Sequence, residues 1–233
     1  GVWDVFDEIY CSKKETINFL KDVLAEVLEL FPSEYIHIGG DEAPKVQWKN
    51  CENCQKVIRE NNLKDEHELQ RYFISQIDAF LTENGRKLIG WDEILEGGLS
   101  PNAAVMSWRG EKGGIEAAKL GHYVVMSPTT YCYFDYYQSS HSIEPLAIGG
   151  YLPLEKVYAF NPVPKSLSEK EAQYVMGGQA NLWTEYIPDI HQLEYMTYPR
   201  ALALAQSLWC VEKPEYAIFL KSYLNYHEEY LTK

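Results

Sequence analysis

Four apolar runs of strand length in this chain carry tryptophan, aspartate or glutamate at their far ends, and a fifth runs into an aromatic loop that holds Asp135. The runs are Tyr35–Asp41, Lys87–Glu93, Ala104–Arg109, Tyr123–Ser127 and Val175–Glu185. Helical periodicity fills much of the space between them. Ile17, Leu20, Leu24, Val27, Leu28 and Phe31 recur at helical spacing behind Ser12-Lys13-Lys14-Glu15, which has the form of a capping box, and Pro32 closes that helix. Pro44 opens a short helix through Ile58. Asp65 with Glu68 caps another, whose buried face is Leu69, Tyr72, Phe73, Ile77, Phe80 and Leu81 and whose end is Asn84-Gly85. A short helix is expected around Ile115–Leu120. Residues 138–170 read as loop, and two helices close the chain, one over Ala201–Trp209 and one from about Pro214. Gly1 to Cys11 reads as the end of a loop.

Strands alternating with helices predict a parallel sheet covered by helices. A doubly wound sheet usually carries G-x-G-x-x-G at its first strand-to-helix turn, and that motif is absent. A (β/α)8 barrel of the TIM type instead collects its working residues at the C-terminal ends of several strands. Asp41, Glu42, Trp91, Trp108, Asp135, Trp183 and Glu185 fall at such ends. A full barrel needs eight strands and about 250 residues. The expectation is therefore an incomplete barrel: residues 1–233 as the later part of one catalytic domain, about strands 4 to 8 with the C-terminal helices, lacking roughly the first three βα units. Open strand edges need covering, either by a second copy of the chain or by the missing N-terminal segment.

A net charge of −13 supplies no basic face for nucleic acid or an anionic membrane surface, and no apolar run reaches the length of a membrane span. No signal peptide is visible, and a start at Gly1-Val2-Trp3 without Met reads as a chain from which something upstream was removed. Cys51-Glu52-Asn53-Cys54 is a C-x-x-C, but a zinc site needs a second ligand pair and none follows, so the pair reads as a local disulfide or two free thiols before a metal site, and no cofactor is expected.

Tyr35-Ile36-His37-Ile38-Gly39-Gly40-Asp41-Glu42-Ala43-Pro44 reads as a strand ending at an acidic site. Taken alone it reads equally well as a capped helix start, with a carboxylate on the first backbone N–H groups. The 14% aromatic content, with six Trp and eighteen Tyr, fits core packing, but flat apolar sugar faces are also held by such rings. Glycosidic cleavage needs one protonated carboxyl group for the leaving oxygen and negative charge, or a nucleophile, for the oxocarbenium-like centre. His37 is as well explained by strand packing as by a role beside Asp41. Tyr131, Tyr136 and Tyr137 are candidates for an outer subsite.

His37-Ile38-Gly39-Gly40-Asp41-Glu42, Gly90-Trp91-Asp92-Glu93, Ser107-Trp108-Arg109, Tyr133-Phe134-Asp135 and Leu182-Trp183-Thr184-Glu185 occur in that order. Together they resemble glycoside hydrolase family 20, the β-N-acetylhexosaminidases. The resemblance implies exo-hydrolysis of terminal N-acetyl-β-D-hexosamine (GlcNAc or GalNAc) by a substrate-assisted retaining mechanism, through an oxazolinium intermediate and without a metal. It implies Glu42 as general acid, Asp41 as the carboxylate that orients the acetamido N–H, and Tyr133 as donor to the acetyl carbonyl. Trp91, Trp108 and Trp183 would wall in the acetamido methyl group, while Asp135 and Glu185 would bind sugar hydroxyls. N-acetylhexosamine-terminated glycans are the partners it implies, in an exported protein. Family members also carry a sugar-binding arginine near the first barrel strand, which has no counterpart here. The isolated chain is therefore expected to turn over poorly, and its parent well. The competing reading is a carbohydrate-binding module that keeps the aromatic pocket without turnover.

Overall fold

The computed structural model describes residues 8–140 and 142–231, so Gly1–Asp7, part of the expected N-terminal loop, lie outside the described residues. Helix α1 (Lys14–Leu30) buries Ile17 and half-buries Leu20, Leu24, Val27 and Leu28, whereas Phe31 lies past its end and is exposed. The capping box does not form. Lys13 occupies the cap position without a side-chain bond, because Ser12 is drawn inward, its backbone N–H donating to Cys54 Sγ at 3.4 Å.

Strand β1 (Tyr35–His37) is shorter than expected, since Gly39 and Gly40 follow at φ 73° and 90° and turn the backbone out of the sheet. The helix expected from Pro44 to Ile58 is two helices, α2 (Val46–Asn50) and α3 (Glu52–Glu60), parted at an extended Cys51. Helix α4 (Glu66–Glu83) starts where predicted, with Asp65 accepting from the backbone N–H groups of His67 and Glu68. Strand β2 (Lys87–Trp91) runs into a 3-10 turn over Asp92–Leu95. Then come β3 (Ala104–Ser107), α5 (Lys112–Lys119), β4 (Val124–Met126) and α6 (Thr129–Cys132). The stretch expected to be loop contains α7 (Leu154–Tyr158), followed by α8 (Glu169–Ala172) with a complete Ser168–Glu171 capping box. Strand β5 (Val175–Gly178) ends well before Glu185. Helices α9 (Ile190–Thr197), α10 (Arg200–Trp209) and α11 (Tyr216–Ile218), a π turn over Phe219–Leu224 and α12 (Asn225–Leu231) complete the chain.

β2 pairs in parallel with β1, Ile36 opposite Leu88, and with β3, Gly90 opposite Val105. The strand order β1-β2-β3-β4-β5 follows the chain. Leu88 to Trp91 and all of β3 are buried, so successive side chains on both faces of these parallel strands are covered.

The chain divides into two compact units, one of residues up to 106 with 116–124, the other of 107–115 with 125–233. In the first, α4 buries Leu69, Ile74, Ile77 and Leu81. Arg86 also ties the end of α1 to the start of β2, its guanidinium donating to the carbonyls of Pro32 and Ser33 at 2.7 Å each. In the second, Met126, Cys132, Phe134, Leu152, Phe160 and Phe219 are buried. A Cβ at Gly178 would stand 2.8 Å from the Phe160 ring, so glycine is what lets β5 pack here.

Candidate active site

In the first unit the acidic pair stands just past β1 on a turn that spends three left-handed residues. Gly39 and Gly40 are followed, one residue on, by Glu42 at φ 48°. A non-glycine residue rarely accepts such a backbone, and where one does the surroundings hold it there. Gly40 cannot be replaced without strain. Its φ is 90° and a Cβ would lie 2.6 Å from Ile94 Cγ2 of the 3-10 turn. Gly40→Ala is expected to cost about 1–3 kcal/mol of stability and to lower activity with it, measured by thermal unfolding beside initial rates.

Asp41 and Glu42 are exposed, and the chain just after them is anchored. Lys45 Nζ donates to the Ala43 carbonyl at 2.9 Å and to Gln70 Oε1 on α4, while Gln70 Nε2 donates to the Glu93 carbonyl at 3.0 Å. Burial lowers the Lys45 pKa against the pull of Glu96 and Glu93. This bridge gives Glu93 a positioning part that no spacing in the sequence announces. His37 belongs here too. Its ring meets Trp91 edge-on at 4.9 Å, and its Nδ1 accepts from Gly39 N at 3.1 Å. Protein packed around the imidazole lowers its pKa, with the Asp41 carboxylate working the other way. Trp91 itself is buried.

A cavity of about 540 Å³ also borders the pair. Leu20, Val23 and Leu24 of α1 and Phe73, Ile74 and Ile77 of α4 form much of its wall. Such side chains cannot hydrogen-bond hydroxyl groups, so the sugar is not assigned to that space.

The second unit holds the other candidates. Ser107 Oγ donates to the Gly110 carbonyl at 2.7 Å and accepts from Gly114 N at 2.8 Å, which fixes the turn carrying Trp108. The Trp108 and Tyr133 rings are near-parallel, 6.4 Å apart. Asn181 laces the strand ends together. Its N–H donates to the Cys132 carbonyl at 2.8 Å, its carbonyl accepts from Phe134 N at 2.7 Å, and its side chain donates to Ser127 Oγ at 2.9 Å. Asn181 and Trp183 also hydrogen-bond the Tyr133 hydroxyl, and burial, the larger influence, pushes that phenol well above its ordinary pKa. With N–H groups on its oxygen and its proton retained, Tyr133 has an O–H to donate.

Asp135 is buried, and its Oδ1 has no hydrogen-bond partner among the described residues. Burial raises its pKa from 3.8 to about 6, with Glu185 adding to the rise, while its own backbone N–H and Arg200 oppose it. A raised carboxyl pKa means the folded chain holds its proton longer than the unfolded chain, so stability falls as pH climbs from about 4 to about 6. Asp135→Asn removes that penalty. It is expected to stabilise the chain by up to about 3 kcal/mol at pH 8 and by almost nothing at pH 4, read from melting temperatures across pH.

Arg200 and Asn181 were not singled out in the sequence. Arg200 is fully buried and donates to the carbonyls of Phe134, Tyr136 (2.9 Å), Leu152 (3.3 Å) and Met196 (2.6 Å), two of them flanking Asp135. Trp183 and Glu185 are exposed. Two of the tyrosines expected at an outer subsite have packing partners within the protein. Tyr137 is buried, its hydroxyl bonded to both the carbonyl and the N–H of Ala147, and Tyr131 packs on Phe160 with centroids 5.4 Å apart.

Parallel strands in chain order with intervening helices make an α/β fold of the TIM-barrel type. The chain belongs to glycosyl hydrolase family 20, whose catalytic-domain description matches residues 2–212. A beta-hexosaminidase of Porphyromonas gingivalis is 52% identical over 223 residues, covering 94% of this chain and 29% of that protein. A beta-hexosaminidase of Vibrio furnissii is 34% identical over 197 residues, 82% of this chain and 32% of that protein. Among solved structures, an exo beta-N-acetylglucosaminidase from Vibrio harveyi in complex with N-acetylglucosamine superposes with a TM-score of 0.86 at 29% identity, over 96% of this chain and 36% of that one. The chain thus spans about a third of the length of these relatives. Among the described residues no helix is long and apolar enough to cross a membrane.

Proposed function

We propose that this chain carries the catalytic residues of an exo-acting β-N-acetylhexosaminidase that removes terminal GlcNAc or GalNAc by substrate-assisted catalysis with retention. The observation that carries the reading is the acidic pair on its left-handed turn past β1, with the family membership behind it. Two adjacent carboxylates suffice when the substrate brings its own nucleophile. Glu42 gives its proton to the glycosidic oxygen as the bond to the anomeric carbon breaks. The acetamido carbonyl oxygen attacks that carbon from the opposite face and closes a five-membered oxazolinium ring. Asp41 stays ionised, accepts the acetamido N–H and balances the positive charge on the ring. Tyr133 donates to the acetyl oxygen and aims it, while Trp91, Trp108 and Trp183 hold the methyl group. Glu42, now a carboxylate, takes a proton from water, which opens the ring at the anomeric carbon. Two inversions leave the configuration retained. Asp135 and Glu185 accept sugar hydroxyls, and a hydroxyl donated to the buried Asp135 Oδ1 would supply the partner it otherwise lacks.

The same proposal includes the incomplete barrel. Upstream residues would supply the remaining strands and the hydroxyl-binding arginine of the family, in an exported protein acting on glycans that end in N-acetylhexosamine. The test compares this chain with an upstream-extended form on an aryl β-N-acetylglucosaminide and on the matching β-glucoside. The extended form is expected to hydrolyse the first substrate well and the second hardly at all, and the chain alone to be poor on both. Equal rates on the two sugars would overturn substrate assistance, because the glucoside has no acetamido oxygen.

A further inference from the structure

The C-x-x-C of Cys51 and Cys54 has no second ligand pair downstream, but the fold brings a third thiol from upstream. Cys11 Sγ lies 3.5 Å from Cys51 Sγ and 3.6 Å from Cys54 Sγ, and the three sulfurs fall within 4.8 Å of one another. A tetrahedral zinc ion, bound to sulfur at about 2.3 Å, keeps its sulfurs about 3.8 Å apart. The two measured edges of the sulfur triangle match a face of that tetrahedron, and they are far beyond the roughly 2.05 Å of a disulfide.

We propose that Cys11, Cys51 and Cys54 form a three-thiolate site for a zinc-class metal ion, with solvent in the fourth position. Thiolate is the ligand such ions prefer. Two further features suit the charge that an ion would leave on the sulfurs. Ser12 N already donates to Cys54 Sγ, and Cys51 sits at the N-terminal end of α3, where backbone N–H groups favour anionic ligands. Cys11 and Cys51 are only half-buried, which gives an ion a way in and a solvent molecule a place to bind, while Cys54 closes the site from the core side. The Ser12 hydroxyl, buried and without a partner among the described residues, adds a polar atom next to Cys11. Binding exchanges thiol protons for the ion, three if every ligand starts as a thiol.

The role is structural. The segment ahead of α1 is already held to the helices after the acidic pair, with Trp48 Nε1 donating to the Tyr10 carbonyl at 2.9 Å. Ile9 and Cys11 pack on Trp48, Cys54, Ile58 and Leu69. An ion across the three sulfurs would fasten that joint a second time.

The full chain, reduced and equilibrated with zinc, then dialysed, is expected to retain one equivalent of metal. Its cobalt(II) form is expected to show sulfur-to-cobalt charge transfer and tetrahedral d–d bands. Cys11→Ser, Cys51→Ser and Cys54→Ser should each weaken zinc binding roughly tenfold or more, and Cys210→Ser should leave it unchanged. Should a serine variant fail to fold, the unaltered chain still decides. Zinc is expected to shield Cys11, Cys51 and Cys54 from alkylation, located by peptide mass, and to leave the exposed Cys210 reactive. A chain that emerges from dialysis without zinc overturns the proposal. So does cobalt bound without thiolate charge transfer, or a disulfide between two of the three that persists with zinc and reductant both present.

Discussion

Glu42→Gln is expected to lower kcat on an N-acetylglucosaminide with a poor leaving group by about 10²- to 10⁴-fold, the usual worth of a general acid, in the upstream-extended form of the protein. Glutamine keeps the size of the side chain and makes no new demand on a backbone already at φ 48°, so binding of N-acetylglucosamine should change little. The loss should depend on the leaving group. A nitrophenol that departs as a stable anion needs little protonation, so bond cleavage in the variant should recover towards the unaltered rate and leave water activation as the slow step. Asp41→Asn should behave differently. Asp41 is proposed to balance charge on the oxazolinium ring, which forms whatever the leaving group, so its deficit should persist across the whole series. Steady-state rates over leaving groups of graded acidity separate the two residues. Equal slopes for both variants would remove the division of labour between the adjacent carboxylates.

What could be read from the sequence was what is local. The five strands lie where the apolar runs put them, and each ends before its run does, at the point where the backbone leaves the sheet. Val175–Glu185 shows this best. Pairing stops at Gly178, and the residues beyond are held by Asn181 to the Cys132–Phe134 segment through an isolated bridge centred on Tyr133. The acidic pair and the aromatic strand ends were legible because neighbours in sequence make them. The supports were not. Lys45, Gln70 and Glu93 meet across three elements, and Cys11 reaches Cys51 over 40 residues. No periodicity encodes such meetings. Ser12 shows the reverse failure, a sound local cap overridden when burial beside Cys54 moved its backbone elsewhere.

Arg200 is the largest of these omissions, and its replacement should have two separable consequences. The first is structural. Arg200→Met leaves the buried carbonyls of Phe134, Tyr136 and Leu152 without their guanidinium donors and removes the cation over the Phe134 ring, 5.0 Å from its centroid. A loss of about 3–5 kcal/mol is expected, measured by thermal or denaturant unfolding. The second is electrostatic. Arg200 is a cation that draws the Asp135 pKa down, against burial and Glu185. Without it that pKa should climb above about 6, so the acid limb of kcat/KM should move to higher pH if ionised Asp135 accepts a sugar hydroxyl. Arg200→Lys tells the two apart. An ammonium restores a positive charge but lacks the planar fork that spans several carbonyls, so stability should stay low while the acid limb returns towards its original place. A purely structural arginine would show the stability loss in both variants with no movement of the pH profile. That outcome would confine Arg200 to holding the loop and leave the affinity of Asp135 for protons to burial and Glu185.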